Sequence, residues 1–208
     1  MIVGPDWIWL HVPKCGGTAV ERTLRKAFRR RRDVVFDPIG RGRPVIWQHS
    51  ISRRRAFDPD FDPSGKRIIG CIRRLPSWLL SRVHFEAYRS YLFPTREQIL
   101  RGEFYEATGY LNKADRMIRD FDTPGVDDWI RVEHMATDIA AVFDLQLRSI
   151  PRVNEGKMPF IKDLSLWFTP DDLRAIYDAN PVWAALERRV YGRLPIDDPA
   201  PKSASGQT

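Results

Sequence analysis

"IWLHVPKCGGTAVERTL", residues 8–24, decides how this chain is read. Its opening run, Ile8 to Val12, is rich in aromatic and β-branched side chains, the pattern of a buried strand. Pro13 closes that strand. From Thr18, placed as a cap, Ala19, Val20, Leu24 and Ala27 recur at roughly helical spacing. The segment is therefore expected to run strand, tight loop, helix, with Lys14, Cys15, Gly16 and Gly17 in the loop. Glycines there let backbone N–H groups turn inward around an anion, and a helix start adds partial positive charge. A phosphate suits that geometry.

Working outward, strands and helices alternate through the first half, which predicts a parallel sheet of βαβ units. "DVVFD" (33–37) and "VIWQH" (45–49) read as short strands, and "RIIGCI" (67–72) as a central one. A helix opened by Pro76 follows, running to about Leu92. Residues 94–127 read as short helices and loops, "WIRVEH" (129–134) as a strand, and "MATDIAAVFDL" (135–145) as an amphipathic helix. "IPRVNEGKMPF" (150–160) is a loop, and a helix from Thr169 breaks near Asn180-Pro181. The expectation is an α/β fold of three layers, a central parallel sheet flanked by helices. A single domain spans residues 1–194, with a frayed tail over 195–208.

Bulk properties narrow the classes. The apolar stretch Trp7–Val12 is too short for a membrane span or a signal-peptide core, so a soluble, cytoplasmic protein is expected. Cys15 and Cys71 build no disulfide framework and show no metal-ligand spacing; both read as reduced thiols. A net charge of +7 favours a polyanionic ligand. Much of that charge sits in Arg29–Arg32, Arg53–Arg55 and Arg73–Arg74. The first run reads as solvated surface, whereas Arg73 and Arg74 end a buried strand and read as functional. No nucleic-acid reading module is present, so no specific nucleic-acid partner is expected.

The loop is not that of the nucleotide triphosphatases, GxxxxGK[ST], because here the lysine precedes the glycines. Nor does it carry the GxGxxG of dinucleotide binders. A second anion site is legible in "GCIRRLPSWLLSRVHF" (70–85), where a strand again delivers basic residues into a helix start. Arginine offers a two-pronged contact to phosphate, and Ser81, eight residues after Arg73 and four after Ser77, adds a hydroxyl. Two anion sites at two strand ends suggest a ligand phosphorylated at two separated positions.

"HVPKCGGT" and "IRRLPSWLLS" together resemble the two cofactor loops of sulfotransferases, above all the carbohydrate type and its bacterial relatives. "WIRVEHMATDIAAVF" and "PRVNEGK" are similar to later segments of that family, so the resemblance spans most of residues 7–192 and is thin between 94 and 127. It implies a P-loop-like sulfotransferase fold and 3′-phosphoadenosine 5′-phosphosulfate (PAPS) as cofactor, with adenosine 3′,5′-bisphosphate as product and no metal. It assigns Lys14, Cys15, Gly16, Gly17, Thr18 and Ala19 to the loop holding the 5′-phosphosulfate, and Arg73 and Ser81 to the 3′-phosphate. The family pattern of Arg, Asp or Asn, then Pro is replaced here by Arg73-Arg74-Leu75-Pro76, which leaves Arg73 preferred and Arg74 as its rival.

Sulfuryl transfer needs in-line positioning, a donor on the leaving phosphate oxygen and a base for the acceptor hydroxyl. Lys14 is the expected donor. Of the four histidines, His11 reads as core and His134 as structural, while His84 reads as surface or acceptor cleft. His49 lies between the two motifs, as the family's catalytic histidine does, and is the expected base, with Glu86 as alternative. Trp47, Trp78, Phe85, Tyr88 and Tyr91 are candidates for an adenine or acceptor wall, and Asn154 and Lys157 for a closing loop. The acceptor is a hydroxyl-bearing molecule, possibilities including sugar, lipid, tyrosine and small alcohol. The alternatives are a P-loop nucleotide kinase and a non-catalytic nucleotide- or anion-binding module.

Overall fold

The continuous apolar run 67–72 becomes the centre of the sheet in the computed structural model, which describes residues 1–38, 46–123, 125–147, 149–151 and 160–197. In chain order the elements begin with β1 (Ile2–Val3), β2 (Trp7–Trp9), α1 (Gly17–Ala27), β3 (Val35–Phe36), α2 (Ile51–Phe57) and β4 (Arg67–Ile72). Then come α3 (Leu75–Ser90), α4 (Arg96–Leu100), β5 (Glu103–Tyr105), β6 (Leu111–Lys113), α5 (Ala114–Asp122) and β7 (Asp128–Arg131). The chain closes with α6 (Met135–Phe143), α7 (Pro170–Asp178) and α8 (Pro181–Tyr191).

Five strands form one sheet in the order β3-β1-β2-β4-β7, with helices packed against it. β2, β4 and β7 are parallel neighbours, whereas β1 is antiparallel to both β2 and β3. Four strands thus point one way and β1 runs against them. The expected all-parallel sheet is corrected to a mixed, mostly parallel one, an arrangement compatible with three layers. The register places Gly70 opposite Trp129. A Cβ on Gly70 would come within 2.7 Å of that indole, so the strand is bare where its neighbour is largest.

Several further expectations are corrected. The first strand stops at Trp9, although the Leu10 amide still bonds Ile69 O at 2.8 Å. "VIWQH" is not a strand: Ile46–Gln48 form one 3-10 turn, and Val45 lies outside the described residues. Two-residue β1 takes the sheet position beside β2 instead. β7 ends at Arg131 and Val132–His134 turn into a 3-10 helix. Within residues 94–127, β5 and β6 pair as an antiparallel hairpin closed by Glu106 N to Tyr110 O, 2.8 Å, with Gly109 at φ +81°.

The core lies on both sides of β2 and β4, where Ile8, Trp9, Ile69 and Ile72 are fully covered, together with Leu24, Leu79 and Trp183 from helices. α7 starts with the reciprocal cap of Thr169 and Asp172. The Asp115 carboxylate, from α5, accepts the Val182 and Trp183 amides at 3.0 and 2.9 Å and so fixes the start of α8. Among the described residues no helix is long and apolar enough to cross a membrane.

Candidate functional site

The connection leaving β2 runs through α1 toward β3 on one flank, and the connection leaving β4 runs through α3 toward β7 on the other. The carboxyl ends of β2 and β4 therefore mark the point where chain direction switches, the place where open α/β sheets form ligand crevices. Both predicted anion loops begin there.

The first loop is shaped by its backbone. Lys14 stands at φ +63° and Gly16 at φ +71°, both left-handed. Lys14 holds that conformation at a cost of roughly 1–2 kcal/mol. Gly16 is the residue before α1 and supplies no side-chain cap; Thr18 is already inside the helix, correcting its expected capping role. Met135 of α6 covers Gly16 so closely that a Cβ there would fall 2.2 Å from its methyl, and one on Gly17 would fall 2.2 Å from His11 Nε2. Both glycines are thus required by close approach. Among the described residues the Gly16 and Gly17 amides find no backbone acceptor. Thr18 and Ala19 are half-buried in the first turn of α1, and the Ala19 amide bonds Gly16 O at 2.9 Å.

His11 is buried between Trp9 and Trp47, its ring 4.6 Å from the Trp47 ring, and burial pushes its pKa down to about 3. It is a neutral packing group that supports Gly17.

The second loop is shaped by side chains. Glu187 of α8, fully buried, accepts the Leu75 amide and the Tyr177 hydroxyl, the latter at 3.1 Å. It also takes a hydrogen bond of 3.2 Å from Arg74 Nη1. Arg74 further donates to Arg193 O, and its guanidinium lies 3.9 Å over the Tyr191 ring. Arg74 is therefore engaged in anchoring α8, while among the described residues no carboxylate forms an ion pair with Arg73.

Two indoles join the loops. Trp78 Nε1 donates to Pro13 O at 2.8 Å, Trp183 Nε1 donates to Arg73 O at 3.2 Å, and the two rings pack at 4.6 Å. Sulfur adds a link, since the Arg73 amide is directed at the buried Cys15 thiol. Burial foremost pushes that thiol well up, so Cys15 is a packing residue and no nucleophile. Cys71 is likewise buried and pushed up to about 12.

Lys14 Nζ lies 3.9 Å over the Phe85 ring. Ser77, Ser81 and Phe85 are spaced four apart on α3 and share a face, so the ammonium meets the helix on the face carrying Ser81. Burial first, then the Arg82 and Arg73 charges, bring Lys14 down to about 8. Arg82 is neutralised by Glu86 at 3.0 Å and by Glu106. Lys14 thus senses the Arg73 charge and meets α3 on the face carrying Ser81, with Arg82 nearby, a neighbour that the sequence leaves unassigned. Its buried position between two carboxylates is set by Glu106 in the hairpin, a partner that local sequence does not reveal.

The acid–base candidates separate. Glu86 is buried and paired with Arg82, and burial raises its pKa. His84 is enclosed by Phe160, Trp167 and Phe93 and bonds Leu80 O, so it is neither surface nor cleft. His134 is exposed. His49 is half-buried, 5.7 Å from the Phe57 ring. Burial, then Arg54 and Arg53, lower its pKa, keeping the imidazole neutral near pH 7. No hydrogen bond, ion pair or ring contact joins it directly to Lys14, Arg73 or Ser81; the link is indirect, through Trp47 two residues earlier, which packs on His11 above Gly17. Trp47 and Trp78 are committed to these contacts, while Tyr88 and Tyr91 are exposed. Asn154 and Lys157 lie outside the described residues.

Set against known proteins, the chain matches no family model, no curated protein and no solved structure.

Proposed function

We propose that the chain is a sulfotransferase that binds PAPS across the β2 and β4 loops and moves its sulfuryl group to a hydroxyl acceptor. The observation that carries this reading is the pairing of cations at the switch point. Lys14 and Arg73 come from different strands, sense each other's charge, and are held together by the Trp78–Trp183 pair, while Arg74 is withdrawn by Glu187. A nucleotide with phosphate at both the 3′ and 5′ positions satisfies both.

In this reading the Gly16 and Gly17 amides and the start of α1 receive the 5′-phosphosulfate, with Thr18 and Ala19 in the first helical turn beneath it. Arg73 and Ser81 receive the 3′-phosphate. Lys14 leaves the Phe85 ring to meet the bridging oxygen and stabilises the charge that grows there as the sulfur–oxygen bond breaks. The acceptor hydroxyl attacks sulfur in line and gives its proton to the neutral His49. Exposed Phe85 and Tyr88 continue along α3 from the ammonium and, with Tyr91 just past its end, offer the acceptor a wall.

Calorimetry with adenosine 3′,5′-bisphosphate tests the reading. Arg73→Ala is expected to weaken binding by roughly tenfold to a hundredfold, the usual worth of a hydrogen bond to a charged group. Arg74→Ala should leave affinity nearly unchanged while lowering the melting temperature. A preference for ATP with magnesium over the bisphosphate would favour the kinase. Tight bisphosphate binding with no His49-dependent transfer across a broad acceptor screen would favour the non-catalytic module.

A further inference from the structure

The chain's net charge does not reside at the crevice. Residues 22–32 carry Arg22, Arg25, Lys26 and the run Arg29–Arg32, seven cations with no acidic residue among them. The whole chain has 34 basic and 27 acidic side chains, so without this segment it is balanced at 27 against 27. All seven of these side chains are exposed. Arg25 pairs with Glu21 at 2.8 Å and Arg31 with Asp33 at 2.6 Å; the other five have no ion-pair partner among the described residues.

Helix electrostatics accounts for part of this only. Arg25 and Lys26 lie in the last turn of α1, where cations complement the helix dipole. Four further arginines follow the helix, beyond the turn over which that effect acts. Their mutual repulsion is a cost unless an external anion offsets it. The patch is also remote from the loop: α1 is eleven residues long, about 16 Å at 1.5 Å per residue, and the cations crowd the end away from Gly17.

We infer that this end of α1 docks the protein on an anionic phospholipid surface. The inward face of α1 is spent on the core, with Val20 and Leu24 fully buried, so the helix has no apolar face to insert. Attachment is by charge alone. Six of the seven cations are arginine, whose fork matches phosphate and carboxylate headgroups. Within the segment the only aromatic, Phe28, is turned inward against Trp7 and Phe143. The segment contains no Asn or Gln, and its one Thr, Thr23, is buried. It therefore lacks both a stacking platform for bases or sugars and the amide groups that read base edges. An exposed cluster of cations whose segment offers no aromatic platform and no side-chain amide fits an array of anionic headgroups better than a nucleic acid or a polysaccharide.

Co-sedimentation of the full chain with vesicles tests this. Binding is expected to vesicles of phosphatidylcholine with phosphatidylserine at low ionic strength, to be absent with phosphatidylcholine alone, and to be lost in high salt. Each cation near such a surface contributes about fivefold in affinity, so Arg29→Gln/Arg30→Gln/Arg32→Gln should weaken binding by roughly a hundredfold. That variant should retain the wild-type melting temperature and affinity for adenosine 3′,5′-bisphosphate. Equal binding to both vesicle types, or a variant that binds like wild type, overturns the inference. So does tighter binding to duplex DNA or an acidic polysaccharide than to anionic vesicles at equal anion concentration.

Discussion

The loops after β2 and β4 start from the same plan, a parallel strand entering a helix, and reach opposite electrostatic states. At the head of α1 the Gly16 and Gly17 amides have no backbone acceptor among the described residues. At the head of α3 the Leu75 amide is already taken by the Glu187 carboxylate. One helix start keeps its first amides without a backbone acceptor; the other is capped by a buried carboxyl of the chain. The first loop can bind phosphate through backbone and helix charge, whereas the second must rely on a side chain projecting past its own capped helix. In the proposed function Arg73 is that side chain. Adjacent arginines thus differ: Arg74 pairs with Glu187, whereas among the described residues no carboxylate forms an ion pair with Arg73.

The largest effect expected from breaking this contrast is at Glu187. Glu187→Ala removes a buried carboxylate from Arg74, the Leu75 amide and the Tyr177 hydroxyl, and should cost about 3–5 kcal/mol of stability in urea unfolding. A loss below 1 kcal/mol would show that α3 does not depend on its internal anion. The same residue gives stability a pH dependence. Burial foremost raises the Glu187 carboxyl from 4.5 to about 7 in the folded protein. The native state therefore holds a proton that the unfolded chain has released, and this contribution to stability declines as pH rises from about 4.5 through 7. Glu187→Gln should remove that slope.

At the open loop, Lys14→Ala should lower the rate of sulfuryl transfer by about 100- to 1000-fold, the usual effect of deleting a preorganised donor. Unchanged transfer would assign the loop to binding alone. The smallest effect is a titration. With Lys14 at about 8, the free amine is neutral above that pH, whereas a bound anion favours the ammonium. Affinity for adenosine 3′,5′-bisphosphate should then fall by up to about tenfold per pH unit above 8. The profile should be flat in Lys14→Met.

Much of this architecture is legible in the sequence where the signal is local. "RIIGCI" declares β4 by an unbroken apolar run, and Thr169-Pro170-Asp171-Asp172 declares the start of α7. "VIWQH" misleads because its apolar spacing imitates a strand, while the half-buried Ile46–Gln48 turn pairs with nothing in the sheet. β1 is too short, at two residues, for any periodicity to register. At the site, Lys14 and the two glycines are readable because strand, loop and helix are contiguous. The choice between Arg73 and Arg74 is not, since the partner that claims Arg74 lies 113 residues later. The hairpin acid Glu106 and the Phe85 seat of Lys14 are likewise matters of tertiary contact.

That distance along the chain has a consequence for biosynthesis. Trp183 and Glu187, which brace the Arg73 loop, are made 110 and 112 residues after Arg73 and Leu75, the partners they hold. A nascent polypeptide still lacking α8 carries Lys14, Gly16, Gly17, Arg73 and Ser81, yet has no bracing for the Arg73 loop. Premature termination upstream of α8 should therefore yield a chain with both motifs intact and the second loop unbraced.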